Sequence, residues 1–217
     1  GDQGGTPGTY ADGGQALSNS TSFGVALGDL DGDGDLDAFV ANGVGQPNRV
    51  WINQGGVQFG TPGNYADSGQ ALGSSDSRGV ALEDIDGDGD LDAWVANDNN
   101  QPSRVWFYDG NGSFPDCGQA LRASGSVGVA LADLDGDGDL DAWVANDNNQ
   151  PNRVWINDGN GNFTDSGQAL GDSESLGVAL GDVDGDGDLD AWVANSSQHN
   201  RVWINDGNGN FVDSGQV

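Results

Sequence analysis

The chain has 217 residues, 35 of them Asp or Glu and only six basic, all six Arg, for a formal net charge of −29. Such a field repels nucleic acid and anionic lipid surfaces, so both are poor partners, and no apolar run approaches the roughly 20 residues of a helical membrane span. Seven Trp and seven Phe at regular spacings argue against the disorder that extreme acidity usually brings, 39 Gly show no Gly-X-Y period, and one cysteine, Cys117, excludes an internal disulfide framework.

In chain order, the first phrase is GTPGTYADGGQAL (5–17), which near-duplicates GTPGNYADSGQAL (60–72). It reads as the tail strand of a unit whose body is absent. The chain opens at Gly1 with neither an initiator Met nor a leader, which reads as a processed product or an excised segment. GVAL (24–27, 79–82, 128–131, 177–180) is short, apolar and bounded by turn residues, a predicted strand. An acidic nonapeptide follows each GVAL. DAWVAN (92–97) and RVWIN (153–157) are β-branched and aromatic with polar ends, two further strands. NDGNGN (157–162) carries the Asp-Gly and Asn-Gly pairs of hairpin turns, and NFTDSGQAL (162–170) is a weaker fourth strand. No segment has a helical apolar period. Alternation puts Ala93 and Val95 on one side of the second strand and Trp94 and Ala96 on the other, so both faces are expected to be covered.

The acidic nonapeptides begin at Asp29, Asp84, Asp133 and Asp182, intervals of 55, 49 and 49 residues, the first lengthened by the insertion GTPGNY (60–65). A period of this size marks propellers, solenoids or arrays. The fold class is therefore all-β, a β-propeller-type array of four units of four short antiparallel strands, with the acidic loop between the first and second strand of each. The reading is a single repeat domain over 1–217. Residues 1–17 form the tail strand of a preceding or completing blade, and the repeats cover 18–72, 73–121, 122–170 and 171–217. Five DSGQ-like phrases end at Gln15, Gln70, Gln119, Gln168 and Gln216, one more than the loops, so the terminal strands are free to close a ring or to join molecules.

Each nonapeptide reads as a metal loop. Its first, third, fifth and ninth residues are aspartates: Asp29, Asp31, Asp33 and Asp37; Asp84, Asp86, Asp88 and Asp92; Asp133, Asp135, Asp137 and Asp141; Asp182, Asp184, Asp186 and Asp190. The sixth is Gly, for a sharp turn. The seventh, Asp35, Asp90, Asp139 or Asp188, would offer its backbone carbonyl. All-oxygen donors in a flexible loop select Ca2+ over Mg2+. Close carboxylate pairs repel by about 1 kcal/mol each even in water, so the loop is expected to need its ion. It is not an EF-hand: the twelfth position, where a bidentate Glu is required, is Val40, Val95, Val144 or Val193.

D-x-D-x-D-G-x-x-D, preceded by GVAL and followed by DAWVAN, resembles the FG-GAP (VCBS-type) repeat of the integrin-α-like β-propellers, over nearly the whole chain and with the motif intact in all four units. The resemblance implies that the loop joins the first two strands of a blade and holds Ca2+, about four ions per chain. Integrin-type propellers have about seven blades; four units stand at the lower end of the roughly 4–8 known for propellers.

The other recurring residues have structural readings. Trp at two places per unit is expected between blades rather than stacked on sugar. Arg49, Arg104, Arg153 and Arg201 are expected to pair with a carboxylate of their own or a neighbouring blade. NDGNGN is explained by hairpin chemistry without a second ion. The loops NGVGQP (42–47), NDNNQP (97–102, 146–151) and NSSQHN (195–200) are the best candidates for a recognition rim. His199, the one histidine, has no evident ligand role, and Asn19, Asn111, Asn162 and Asn195 open glycosylation sequons.

No catalytic set is visible, so an enzyme is not expected. Extracellular calcium modules bind in the range of roughly 10⁻⁴–10⁻³ M, which points to a secreted or cell-surface protein. Two functions follow: an adhesion or recognition module for a glycan or extracellular protein, or a self-assembling subunit of a fibre or surface layer joined through its terminal strands.

Overall fold

The structure, a computed structural model, describes residues 14–55 and 63–216. The expected tail strand therefore lies outside the described residues as far as residue 13, as does much of the insertion at 60–65.

Among the described residues, sixteen strands form four sheets of four antiparallel strands. The first contains β1 (Ser22–Gly28), β2 (Asp37–Asn42), β3 (Arg49–Asn53) and β4 (Tyr65–Asp67). The second contains β5 (Ser77–Glu83), β6 (Asp92–Asn97), β7 (Gln101–Trp106) and β8 (Leu121–Ser124). The third contains β9 (Ser126–Ala132), β10 (Asp141–Asn146), β11 (Arg153–Asn157) and β12 (Phe163–Asp165). The fourth contains β13 (Ser175–Gly181), β14 (Asp190–Asn195), β15 (Arg201–Asn205) and β16 (Phe211–Asp213). Each is a simple meander in which the acidic loop joins the first strand to the second, as at Gly181↔Asp190.

The turns between second and third strands follow from single residues. Asn99 and Asn100 both have φ of 56°, and Gln101 N–H donates to Asp98 O at 3.1 Å, a two-residue turn of the kind that matches strand twist. Asn148 and Asn149 repeat it, and Val44 with Gly45 does so in the first sheet. Asn enters the left-handed region at low cost because its short side chain bonds locally.

The second sheet departs from the pattern. At Phe114–Asp116, which aligns with β12 and β16, only the isolated bridge Trp106↔Asp116 and a bond from Phe107 N–H to Pro115 O at 3.1 Å form, and β8 pairs with Gln101–Ser103, extending a contact that Leu72 makes with Asn48 and Leu170 with Asn152 as single bridges. Pro115, which has no N–H, stands where β12 and β16 have Thr164 and Val212.

Consecutive sheets stack through their apolar faces. Ala93 and Val95 pack toward the first sheet with Phe39 and Leu30, while Trp94 and Ala96 pack toward the third with Ala142 and Val144. Trp143 repeats the Trp94 role against Ala191 and Val193. The two-sided covering expected from alternation thus holds for the inner sheets.

Close approach is set by a row of glycines. A Cβ on Gly24 would lie 2.7 Å from Arg78 O, one on Gly79 2.8 Å from Val127 O, and one on Gly128 3.2 Å from the Gly177 Cα. Gly177, at the end of the row, meets nothing within 4 Å. Side chains of the DSGQ phrases clasp the next sheet. Gln70 Nε2 donates to Gly112 O at 2.8 Å and Gln70 Oε1 accepts from Phe114 N–H at 2.9 Å. Gln119 holds Gly161 and Phe163 in the same way, and Gln168 holds Gly209 and Phe211.

The stacked row generates a contrast. Gly79→Ala should lower stability by about 1–3 kcal/mol, the range for overpacking, while Gly177→Ala in dilute protein should change it by less than about 0.5 kcal/mol. Denaturant melts of the two variants check this; equal losses would contradict the close approach.

Candidate metal centres

Each acidic loop is shaped by its own carboxylates. The first Asp caps the turn: Asp133 Oδ1 accepts from Gly136 N–H at 2.7 Å and Oδ2 from Gly138 N–H at 3.1 Å, and Asp84 and Asp182 repeat both bonds. Asp29 keeps the second of them, from Gly34 N–H at 2.9 Å. The sixth-position glycines have φ between 91° and 102°, the sharp turn the spacing predicted.

The ninth Asp proves to be more than a ligand candidate. It lies at the start of the second strand and is fully buried in all four sheets, as Asp37, Asp92, Asp141 and Asp190. Both its oxygens accept backbone N–H groups. Asp92 takes Ile85 N–H at 3.0 Å and Tyr108 N–H at 2.8 Å. Asp141 takes Leu134 N–H at 3.0 Å and Asn157 N–H at 2.8 Å. It thereby ties the loop to the third strand. Burial pushes the carboxyl of Asp92 up to about 6, only partly offset by those bonds, and does the same to Asp141. Asp37 is also raised, with burial as the main cause. The third-position Asp31, Asp86, Asp135 and Asp184 are raised mainly by burial, with nearby carboxylates adding to it.

The loops bring carboxylate oxygens together in four groups, each mutually within 4.8 Å: Asp29, Asp31 and Asp33; Asp84, Asp86 and Asp92; Asp133, Asp135 and Asp141; Asp182, Asp184 and Asp190. Two oxygens on opposite sides of a Ca2+, each about 2.4 Å away, lie about 4.8 Å apart, so every group can share one ion. Asp29 Oδ1 is buried with no hydrogen-bond partner, an acceptor that a cation would satisfy. An all-oxygen set of carboxylates suits a hard cation. The fifth-position Asp88, Asp137 and Asp186 stand outside the tightest groups and accept from the backbone two residues on. The seventh-position carboxylates turn away from the loop: a Cβ on Gly159 would lie 2.4 Å from Asp139 Oδ2, and Gly55 and Gly207 stand in the same relation to Asp35 and Asp188.

Other recurring residues settle into structural roles. Arg201 pairs with Asp213 at 3.0 Å and Arg104 with Asp116 at 3.5 Å, and Arg49 and Arg153 face Asp67 and Asp165 at 3.9 Å. Asp158 in the NDGNGN turn is held by Asn160 and Asn162, whose hydrogen bonds also lower its carboxyl below the ordinary range. Most rim-loop candidates are short turns, pinned by glutamines: Gln101 Oε1 accepts from Asp76 N–H and Gln150 Oε1 from Gly125 N–H. Around NSSQHN, Asp172, Ser173, Ser197, Gln198, His199 and Arg201 line an open polar depression of about 610 Å³.

Sequence reasoning missed the links between a loop and the next sheet. Asn157 Nδ2 donates to Ile85 O at 2.9 Å, and Asn205 Nδ2 to Leu134 O at 2.8 Å. The signal was the Asn that ends RVWIN, whose partner lies some 70 residues away.

Four stacked four-stranded sheets, each with an acidic loop after its first strand, define an all-β repeat protein with four clusters fit to hold metal. The FG-GAP-like repeat family matches residues 29–95, 84–144, 133–193 and 182–217, and the chain belongs to that family. Among solved structures it is similar to the V. cholerae biofilm matrix protein Bap1, with 21% identity and a TM-score of 0.43, over 89% of this chain and 30% of that one. This chain thus spans less than a third of that protein's length. No curated protein matches.

The raised carboxyls give a signed pH dependence. Without metal, the folded state holds protons on Asp92 and Asp141 up to about pH 6, whereas the unfolded chain loses them near 3.8. Their contribution is present at low pH and lost as pH rises through about 6, so in chelator the protein should melt higher at pH 5 than at pH 7. Saturating Ca2+ competes with those protons and should reverse the order. Thermal melts at both pH values, with and without metal, check the crossover.

Proposed function

We propose that this chain is an extracellular calcium-binding module, an arc of a β-propeller in which one Ca2+ per repeat is structural, serving adhesion or recognition of a glycan or protein. The observation that carries it is the fourfold recurrence of the carboxylate group. Asp29, Asp31, Asp33 and Asp37 and their equivalents in the other three units are the ligands, with the backbone carbonyls of Asp35, Asp90, Asp139 and Asp188. When bound, the ion neutralises carboxylates that otherwise repel. The residues themselves fold the loop, and the ninth Asp transmits its position to the third strand.

At free Ca2+ about 100-fold above Kd, each site adds about 2.7 kcal/mol, or about 11 for four independent sites. Whole-domain stability is typically only about 5–15 kcal/mol. An ion bound at about 10⁻⁴–10⁻³ M is held outside cells and not at cytosolic calcium, which supports secretion or surface display. The role is read as non-catalytic because the carboxylates are committed to the loops and to backbone bonds. For a ligand, the depression beside His199 and Arg201 offers hydroxyl-matching polar groups.

Titration calorimetry should find about four Ca2+ per chain, and Asp86→Asn should remove one. EDTA should lower Tm by at least about 10 °C, given that about 1 kcal/mol moves the Tm of a domain this size by roughly 2–4 °C. An unchanged melt in chelator would sink the structural role of the metal. A glycan array read with and without Ca2+ tests recognition, and His199→Ala should weaken any binding that uses the depression.

A further inference from the structure

We propose that copies of this chain associate head to tail, the open face of the fourth sheet of one copy packing on the open face of the first sheet of the next. The three junctions inside the chain carry this. At each, the earlier sheet supplies an aliphatic side chain from its acidic loop and an aromatic from its second strand: Leu30 with Phe39, Ile85 with Trp94, Leu134 with Trp143. The later sheet supplies Val and Leu of its first strand, as Val80 with Leu82, Val129 with Leu131 and Val178 with Leu180.

The outer faces of the first and fourth sheets hold one unused set of each kind. Trp192 is 51% exposed, where Trp94 and Trp143 are 0%, and Val183 beside it is open as well. Val25 and Leu27 are 62% and 56% exposed at the other end. The backbone is complementary too. Leu91 sits so close over Gly28 that a Cβ there would lie 2.5 Å from its Cδ1. Gly181, the counterpart of Gly28, meets nothing within 4 Å, and Leu36, the counterpart of Leu91, is exposed. Leu36 of a second copy can therefore seat on Gly181 as Leu91 seats on Gly28.

The occupant is a second copy because the two faces are different and mutually complementary. Neither matches itself, so the contact is heterologous and builds a ring where the rotation closes or a filament where it does not. The terminal glutamine phrases are not the joint. Gln15 of the same chain already accepts from Tyr65 N–H at 2.9 Å, the position that an incoming Gln216 would clasp. The apolar faces must therefore drive association against a net charge of −29, which salt screens beyond roughly 8 Å at about 0.15 M. This inference needs the sheet faces and not the identity of the ion or ligand.

Light scattering of the full chain in Ca2+ and about 0.15 M salt, across the micromolar range, should show the 22.2 kDa mass rise with concentration to multiples of itself. Trp192→Asp and Val25→Asp should each weaken association by on the order of 30-fold or more, as expected for a central anchor. Both positions are solvent-exposed within one copy, so circular dichroism and the calcium melt of these variants should match the parent. An equimolar mixture of the two variants keeps one intact face of each kind and should form dimers and nothing larger, while Gln216→Ala should associate like the parent. A parent that stays monomeric throughout, or variants that associate as it does, would overturn the proposal. Absence of calcium binding in the calorimeter would overturn the metal reading instead and leave the mass measurement to be judged by itself.

Discussion

Face-to-face packing between consecutive sheets is the contact on which the rest of this structure depends. A four-stranded meander whose strands are three to seven residues long has two apolar faces and no means of burying either alone. Here each face finds its partner in the next repeat, Trp94 against Ala142 and Val144, Trp143 against Ala191 and Val193. Large faces small at each junction, which lets the layers interlock at the density of a protein interior. The glycine row follows from this constraint, since the first strands come within backbone contact and leave no room for a Cβ.

The acidic loops are coupled to that packing. The residue after the first Asp is the aliphatic that enters the junction, as Ile85 and Leu134 do, while its N–H is held by the ninth Asp and its carbonyl by an Asn of the next sheet. The turn that gathers the carboxylates therefore also places a core side chain. Anything that neutralises the carboxylates steadies both, and anything that leaves them charged and unpaired strains both, because like charges repel at this range and burial already disfavours the ionised form of Asp92 and Asp141.

Among the described sheets, the first and the fourth each present one face without a neighbour, and the two faces differ. A repeat protein of this kind is a one-dimensional stack in which each unit is stabilised by its neighbours, so a terminal unit lacks half of its contacts. The fourth sheet is the instance here: its Trp192 lies half in water while its equivalents are buried. Heavy negative charge keeps such a surface soluble and makes any contact it forms sensitive to salt and divalent ions.

The sequence by itself determined the four units, their four-strand order, the placement of each acidic loop, the side of Trp94 and of Val95, and that Arg49, Arg104, Arg153 and Arg201 each meet a carboxylate. All of these are local in chain or repeat with the period, so spacing and alternation report them. Only the tertiary structure decided that the ninth Asp is a fully buried strut, that the seventh-position carboxylates leave the loop, and that DSGQ glutamines clasp the next sheet. The partners of these groups lie from 7 to 44 residues away along the chain, and side-chain direction in a left-handed turn is invisible to letters. Pro115 marks the boundary between the two: its missing N–H was legible in the sequence, but the extension of the Leu121 contact into β8, where Leu72 and Leu170 make single bridges, was decided by the tertiary structure.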